Sequence, residues 1–183
     1  DLLADLGRRA ECRVYVSVPT IDEEAWRALE PGTAHPLQRL RAVRTLRDAG
    51  IDAGVLMAPV VPGFTTQPAR LEATIKAIAD HGAAFMGANV MYLKGGTKDH
   101  FMGFLAREFP EMTAGYGRLY AGAYAKPEYV EGVRAMISTL QDRYDLRRRP
   151  RGGPAETREP EQEPAPAQST LDWDDAGNSV DCR

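Results

Sequence analysis

Histidine and cysteine are scarce in this sequence, with three and two respectively among 183 residues. The cysteines, Cys12 and Cys182, stand near opposite ends and share no CxxC spacing. Neither a disulfide framework nor a four-thiolate metal site can be assembled from them, and reduced thiols in a cytoplasmic protein are the reading that fits. His35, His81 and His100 form no HxxH or HExxH pair, so the sequence offers no metal site of its own and no credible serine triad. A basic surplus is also missing. The formal net charge is −3, whereas a dedicated nucleic-acid binder normally carries an excess of lysine and arginine. No apolar run approaches the roughly 18 residues that a membrane span needs, and the expectation is of a protein without a signal peptide. The first residue is Asp rather than Met, so the expectation is of a protein that starts further upstream.

What the sequence does contain is apolar periodicity, with 43% hydrophobic residues and length enough for a domain with a core. The stretch from Asp52 to Thr66 organises it. Ala53 to Val61 is uninterruptedly apolar and is closed by Pro62, Gly63 and two threonines. A run apolar on both alternating faces reads as a strand buried on both sides, as in a parallel sheet covered by helices. Ligands of such sheets lie at the carboxyl ends of the strands, which points to the turn Val60-Val61-Pro62-Gly63 as the place of small-molecule contact.

The remaining elements follow from the same grammar. Asp1 to Ala10 has helical spacing in Leu2, Leu3 and Leu6, and Arg13 to Val18 reads as a strand. Ile21 to Leu29 is a short helix with Asp22 as its cap. Pro36 to Ala49 is an amphipathic helix stopped by Gly50, with Ile51 folding back as the hydrophobic contact of a C-cap. Pro68 opens a helix whose stripe is Leu71, Ile75, Ile78 and Ala79, stopped by Gly82. Ala84 to Leu93 is a third strand. Strand, loop and helix thus repeat three times at the spacing of βαβ units. Helices are expected again over Asp99–Phe109 and Glu128–Tyr144, with Tyr116, Tyr120 and Tyr124 marking one helical face between them. From Arg147 the composition turns to Arg, Pro and Glu, which cannot bury enough surface to offset chain entropy. Residues 147–183 are therefore expected to be a disordered tail, and Leu171-Asp172-Trp173 within it a bare segment or a short docking motif. The arginine run at its start reads as a solvated cluster.

Few side chains carry obvious chemistry. Asp22-Glu23-Glu24 suits a helix dipole better than acid–base work. Lys94 follows a strand end, where Schiff-base enzymes of α/β barrels place their nucleophile, and Gly95-Gly96 beside it equally reads as a solvated loop. Ser17 and Thr20 end the first strand, on the rim where Val60 and Gly63 end the second. Their hydroxyls suit either a ribose or the cap of the next helix. The backbone of Ala58 to Val60 is placed to pair with a base edge.

Taken in order, Val16-Ser17-Val18-Pro19-Thr20-Ile21-Asp22-Glu23-Glu24, Leu29-Glu30-Pro31-Gly32-Thr33, Arg39-Leu40, Ala49-Gly50-Ile51 and Val55-Leu56-Met57-Ala58-Pro59-Val60-Val61-Pro62-Gly63 resemble one family. It is the radical SAM group related to spore photoproduct lyase, the DNA repair photolyase-like proteins. The resemblance covers about residues 1–145. It implies a partial (βα)6 TIM-like barrel with parallel strands and outer helices, of which residues 1–95 are the last three βα units and 96–146 a helical extension. It also implies S-adenosylmethionine (SAM) and a 4Fe–4S cluster as cofactors, the cluster cleaving SAM reductively to a 5′-deoxyadenosyl radical. By the same resemblance Ser17 and Thr20 fall on ribose-contacting positions, and Ala58, Pro59, Val60 and Gly63 on the strand that packs against adenine. The family's frequent glutamate after that glycine is absent, since Phe64 and Thr65 follow Gly63.

The CxxxCxxC loop that holds the cluster is absent as well, and so is the glycine-rich segment that holds the methionyl amine. Without three thiolates no cluster forms. The expectation is of a carboxyl-terminal portion, inactive alone, whose partner is the missing amino-terminal half of the barrel. Its substrate would be a nucleic acid or a peptide, with no membrane involved. The alternatives are a standalone non-catalytic α/β nucleotide-binding or interaction module, and a Schiff-base lyase using Lys94.

Overall fold

Three β-rich runs pair side by side in the computed structural model, which describes residues 2–9 and 12–147. β1 (Arg13–Ser17), β2 (Asp52–Val60) and β3 (Met86–Val90) form one sheet in the order β1-β2-β3, parallel throughout. Ser17 stands opposite Leu56, and Leu56 opposite Gly87. Main-chain bonds extend the pairing beyond β3, from Ala84 N–H to Ala53 oxygen (3.0 Å) and from Met91 N–H to Val60 oxygen (2.9 Å). The expected strand from Ala84 to Leu93 is thus shorter as a regular ladder. Its register shifts opposite Met57 to Val60, where Pro59 has no N–H to donate.

Helices connect the strands. α1 (Leu2–Arg9) precedes β1, α2 (Glu23–Leu29) and α3 (Pro36–Asp48) link β1 to β2, and α4 (Pro68–Asp80) links β2 to β3. α5 (Gly96–Glu108), α6 (Pro110–Leu119) and α7 (Pro127–Arg143) follow. Four of them begin with proline, whose missing N–H is not needed in a first turn. The Asp22 side chain accepts from Ala25 N–H at 2.9 Å and caps α2. α3 ends as the sequence indicates: Gly50 takes φ +78° and Ile51 N–H reaches back to Leu46 oxygen at 3.0 Å, with the Ile51 side chain buried.

The main core joins one face of the sheet to α3, α4 and α7. Val55 and Met57 of β2 meet Leu40 and Val43, Leu71, Ile75 and Ile78, and Val133 and Ile137, all buried. A second cluster sits beyond the carboxyl ends of β2 and β3, where Val61, Phe64 and Leu93 pack with Leu105, Tyr116 and Tyr120. After α7 the chain returns to the sheet, and Leu146 oxygen accepts from Met86 N–H at 3.1 Å. The described residues belong to one compact unit.

Two expectations are corrected. Tyr116, Tyr120 and Tyr124 do not share a helical face: α6 stops at Leu119, and Tyr124 is 74% exposed and stacks on Tyr92 with ring centroids 5.7 Å apart. The helix expected from Asp99 begins instead at Gly96, because Gly95 at φ +55° already turns the chain into it. The tail expected to be disordered, with its arginine run and Leu171-Asp172-Trp173, lies outside the described residues from 148 onward, as does Cys182.

Candidate functional site

The alternation of β1 and β2 sends Val14, Val16, Val55 and Met57 to the helices and leaves the opposite face uncovered. Tyr15 is 42% exposed there, and Ser17 and Asn89 are exposed beside it. Tyr15 and Asn89, with Leu56, Phe85 and Gly87, line an open cavity of about 540 Å³, and Ser17 stands opposite Leu56 at the end of β1. A parallel sheet with one bare face is unusual, because such sheets are covered by helices or closed into barrels. The helix leading into it carries further uncovered apolar surface: Leu2, Leu3 and Leu6 of α1 are all exposed.

The floor of the cavity is tightly built. Phe85 lies over Gly54 so closely that a Cβ on Gly54 would come within 2.4 Å of its ring and its carbonyl oxygen. The rings of Tyr15 and Phe85 stand 4.8 Å apart, and the Arg13 guanidinium lies 5.0 Å from the Phe85 ring centroid. Aromatic bulk thus fills the amino-terminal end of the face and leaves the carboxyl end open.

At that carboxyl rim the Ser17 hydroxyl donates to Ala58 oxygen over 3.4 Å, a long contact that leaves the group available. Arg39 holds the strand end, donating to Ser17 oxygen at 3.1 Å and pairing with Glu30 at 3.1 Å. Ala58 and Pro59 are joined by a cis peptide, and Pro59 is exposed. Gly63, at φ +78°, is exposed as well, beneath Met112 of α6. Ser17, Ala58, Pro59 and Gly63 are therefore reachable from the rim.

Thr20 and Val60 are placed differently. Thr20 is buried, and its hydroxyl accepts from Asp22 N–H at 3.0 Å, so it shapes the loop entering α2. The Val60 side chain is fully buried in the main core. The turn after β2 satisfies its own amides: Thr65 accepts from Val61 N–H at 2.8 Å and Thr66 from Gly63 N–H at 3.0 Å. The two threonines that close the organising stretch are thus its internal braces. Lys94 is exposed in the loop after β3 and is not among the residues that line the open cavity.

Asn89 was not singled out by sequence reasoning, yet it projects onto the bare face. The available signal was a lone amide inside an otherwise apolar strand, a residue that strands disfavour. Among the described residues no group of three or more His, Cys, Asp or Glu side chains is arranged to hold a metal ion, and Cys12 is a free thiol. None of the described helices is long and apolar enough to cross a membrane.

Comparison with known proteins gives relatives but no activity. The chain is 35% identical over 171 residues to an uncharacterized protein of Mycobacterium tuberculosis H37Rv and to one of Mycobacterium bovis, over 93% of this chain and 49% of each relative. The chain thus spans about half the length of the curated relatives it matches. No protein-family model matches, and no solved structure does.

Proposed function

We propose that this chain is the carboxyl-terminal half of a partial (βα) barrel in a radical SAM enzyme, and that its carboxyl rim forms part of the SAM pocket. The bare face of a parallel sheet carries the reading. Tyr15, Leu56, Gly87 and Asn89 line open space where a barrel interior would be, Ser17 is exposed at the end of β1, and the matched relatives are about twice as long. The ordered resemblance from Val16 to Gly63 supports the class.

In this reading Ser17 offers a hydroxyl to the ribose, while Ala58, Pro59 and the Gly63 turn pack against adenine. Asn89 presents an amide to whatever occupies the interior. The chain's own residues do not fit the iron–sulfur cluster: it has two cysteines in all, near opposite ends. The three thiolates would have to come from the other half. When bound, such a cluster supplies the electron that cleaves SAM. This chain would shape the pocket that holds the sulfonium, and alone it would be inactive.

The test is to express the chain within its longer reading frame, anaerobically with iron and sulfide. A brown protein that releases 5′-deoxyadenosine from SAM with dithionite is the expected result. A colourless protein that releases none would overturn the reading and favour a cluster-free α/β module.

A further inference from the structure

Beyond the carboxyl end of β3, two tyrosines are ordered without being buried. Tyr92 is 56% exposed and Tyr124 74%, yet their rings stack with centroids 5.7 Å apart and planes 22° apart. The segments that carry them are braced from behind. Leu93 N–H donates to Ala123 oxygen at 2.7 Å, and Lys126 N–H to Leu119 oxygen at 3.1 Å. The Lys98 ammonium clamps the same loop, donating to Tyr120 oxygen at 2.8 Å and to Gly122 oxygen at 3.3 Å.

The two segments repeat one pattern. In Tyr92-Leu93-Lys94 and in Tyr124-Ala125-Lys126 the middle residue is buried, and the tyrosine and lysine on either side are exposed. Each arm therefore shows solvent a ring and a cation. Among the described residues neither lysine side chain has an ion-pair partner. The acids nearest in sequence, Asp99 and Glu128, stand in the first turns of α5 and α7, where the helix dipole draws them.

Uncovered aromatic rings on a braced surface are what interfaces use as anchors, because little ordering entropy is left to lose on binding. Adjacent rings suit an extended proline-containing chain, whose polyproline helix is itself preformed. A nucleic-acid strand suits them less. The rings already stack on one another, so no base enters between them, and the formal net charge of −3 lacks the basic surplus that a polyanion calls for.

We propose that Tyr92 and Tyr124 form a docking platform for an extended, proline-containing peptide whose acidic residues meet Lys94 and Lys126. The platform is a binding surface in its own right and does not rest on the radical SAM reading.

Fluorescence anisotropy tests this, with the chain expressed in its longer reading frame and a labelled synthetic peptide of repeating Pro-Pro-Glu as the probe. Saturable binding is expected, weakened at least about tenfold by Tyr124→Ser or Tyr92→Ser and retained in Tyr124→Phe, which keeps the ring. Both tyrosines lie largely in solvent, so the serine variants should keep the urea midpoint. Lys94→Gln combined with Lys126→Gln should weaken binding roughly fivefold and flatten its dependence on salt. A Pro-Pro-Lys repeat should not bind. Absence of saturable binding, unchanged affinity in Tyr124→Ser, equal binding of the lysine-containing peptide, or tighter binding of single-stranded oligothymidylate would each overturn the proposal.

Discussion

The Tyr116 hydroxyl donates to Pro62 oxygen at 2.5 Å and so ties α6 to the loop that leaves β2. The ring of Tyr120 stacks on that of Tyr116, with centroids 5.7 Å apart and planes within 6°, and its own hydroxyl donates to Met91 oxygen at 2.7 Å. Two stacked phenols therefore pin the carboxyl ends of β2 and β3 to one helical segment. Tyr116→Phe would leave the Pro62 carbonyl buried without its donor. The expected cost is about 1–3 kcal/mol, read as a lower urea midpoint with an unchanged slope. An unchanged midpoint would mean that the contact contributes nothing to holding α6.

The same phenols predict how stability depends on pH. Burial pushes the ionisation of Tyr116 and Tyr120 well above the ordinary value of 10.0. In the unfolded chain both ionise near that ordinary value, whereas the folded chain keeps them neutral. Their contribution is therefore fully present below about pH 10 and is lost as pH rises from there through the raised folded values. Urea midpoints should fall above about pH 10, and the fall should be shallower in Tyr116→Phe. Equal slopes in the two proteins would show that Tyr116 does not couple ionisation to folding.

Gly54 should tolerate no side chain. A Cβ there would stand 2.4 Å from the Phe85 ring and equally close to its carbonyl oxygen. Gly54→Ala is expected to destabilise by roughly 2 kcal/mol or more, at the upper part of the usual range for overpacking. Phe85→Ala in the same background removes the ring but not the carbonyl, so in thermal melts the two changes together should cost less than the sum of their separate costs. Full tolerance of Gly54→Ala would show that β2 and β3 can part at this point without cost.

The repeating units were legible in the sequence because their signals are local. Pro36, Pro68 and Gly50 punctuate helices by backbone chemistry alone, and Leu71, Ile75 and Ile78 mark a face by spacing alone. The unbroken apolar run from Ala53 to Val61 indicated burial on both sides, and here the structure differs. Leu56 and Ala58 are only half-buried, because nothing among the described residues covers their face. On the proposed half-barrel reading, the strand carries the pattern of the completed fold. The long-range brackets were not legible. Tyr116 to Pro62 joins positions 54 residues apart, and Thr65 and Thr66 become braces only once the turn has closed. Tyr124 misled for the same reason: its four-residue spacing is helical, but α6 has already ended.

Ser17 and Thr20 should part company under substitution, although the sequence placed both on one rim. Ser17 is exposed and its bond to Ala58 oxygen is long at 3.4 Å. Ser17→Ala should therefore change folding stability by less than about 0.5 kcal/mol. If the rim receives the ribose of SAM, the same change should raise the SAM Kd of the extended protein roughly tenfold, the worth of one hydrogen bond. Thr20 is buried and accepts from Asp22 N–H at 3.0 Å. Thr20→Ala should cost about 1 kcal/mol of stability by stripping that amide of its acceptor, and should leave SAM affinity unchanged. Calorimetric titration with SAM and a urea melt on both variants separate the two roles. Unaltered affinity in Ser17→Ala would remove the proposed ribose contact from β1.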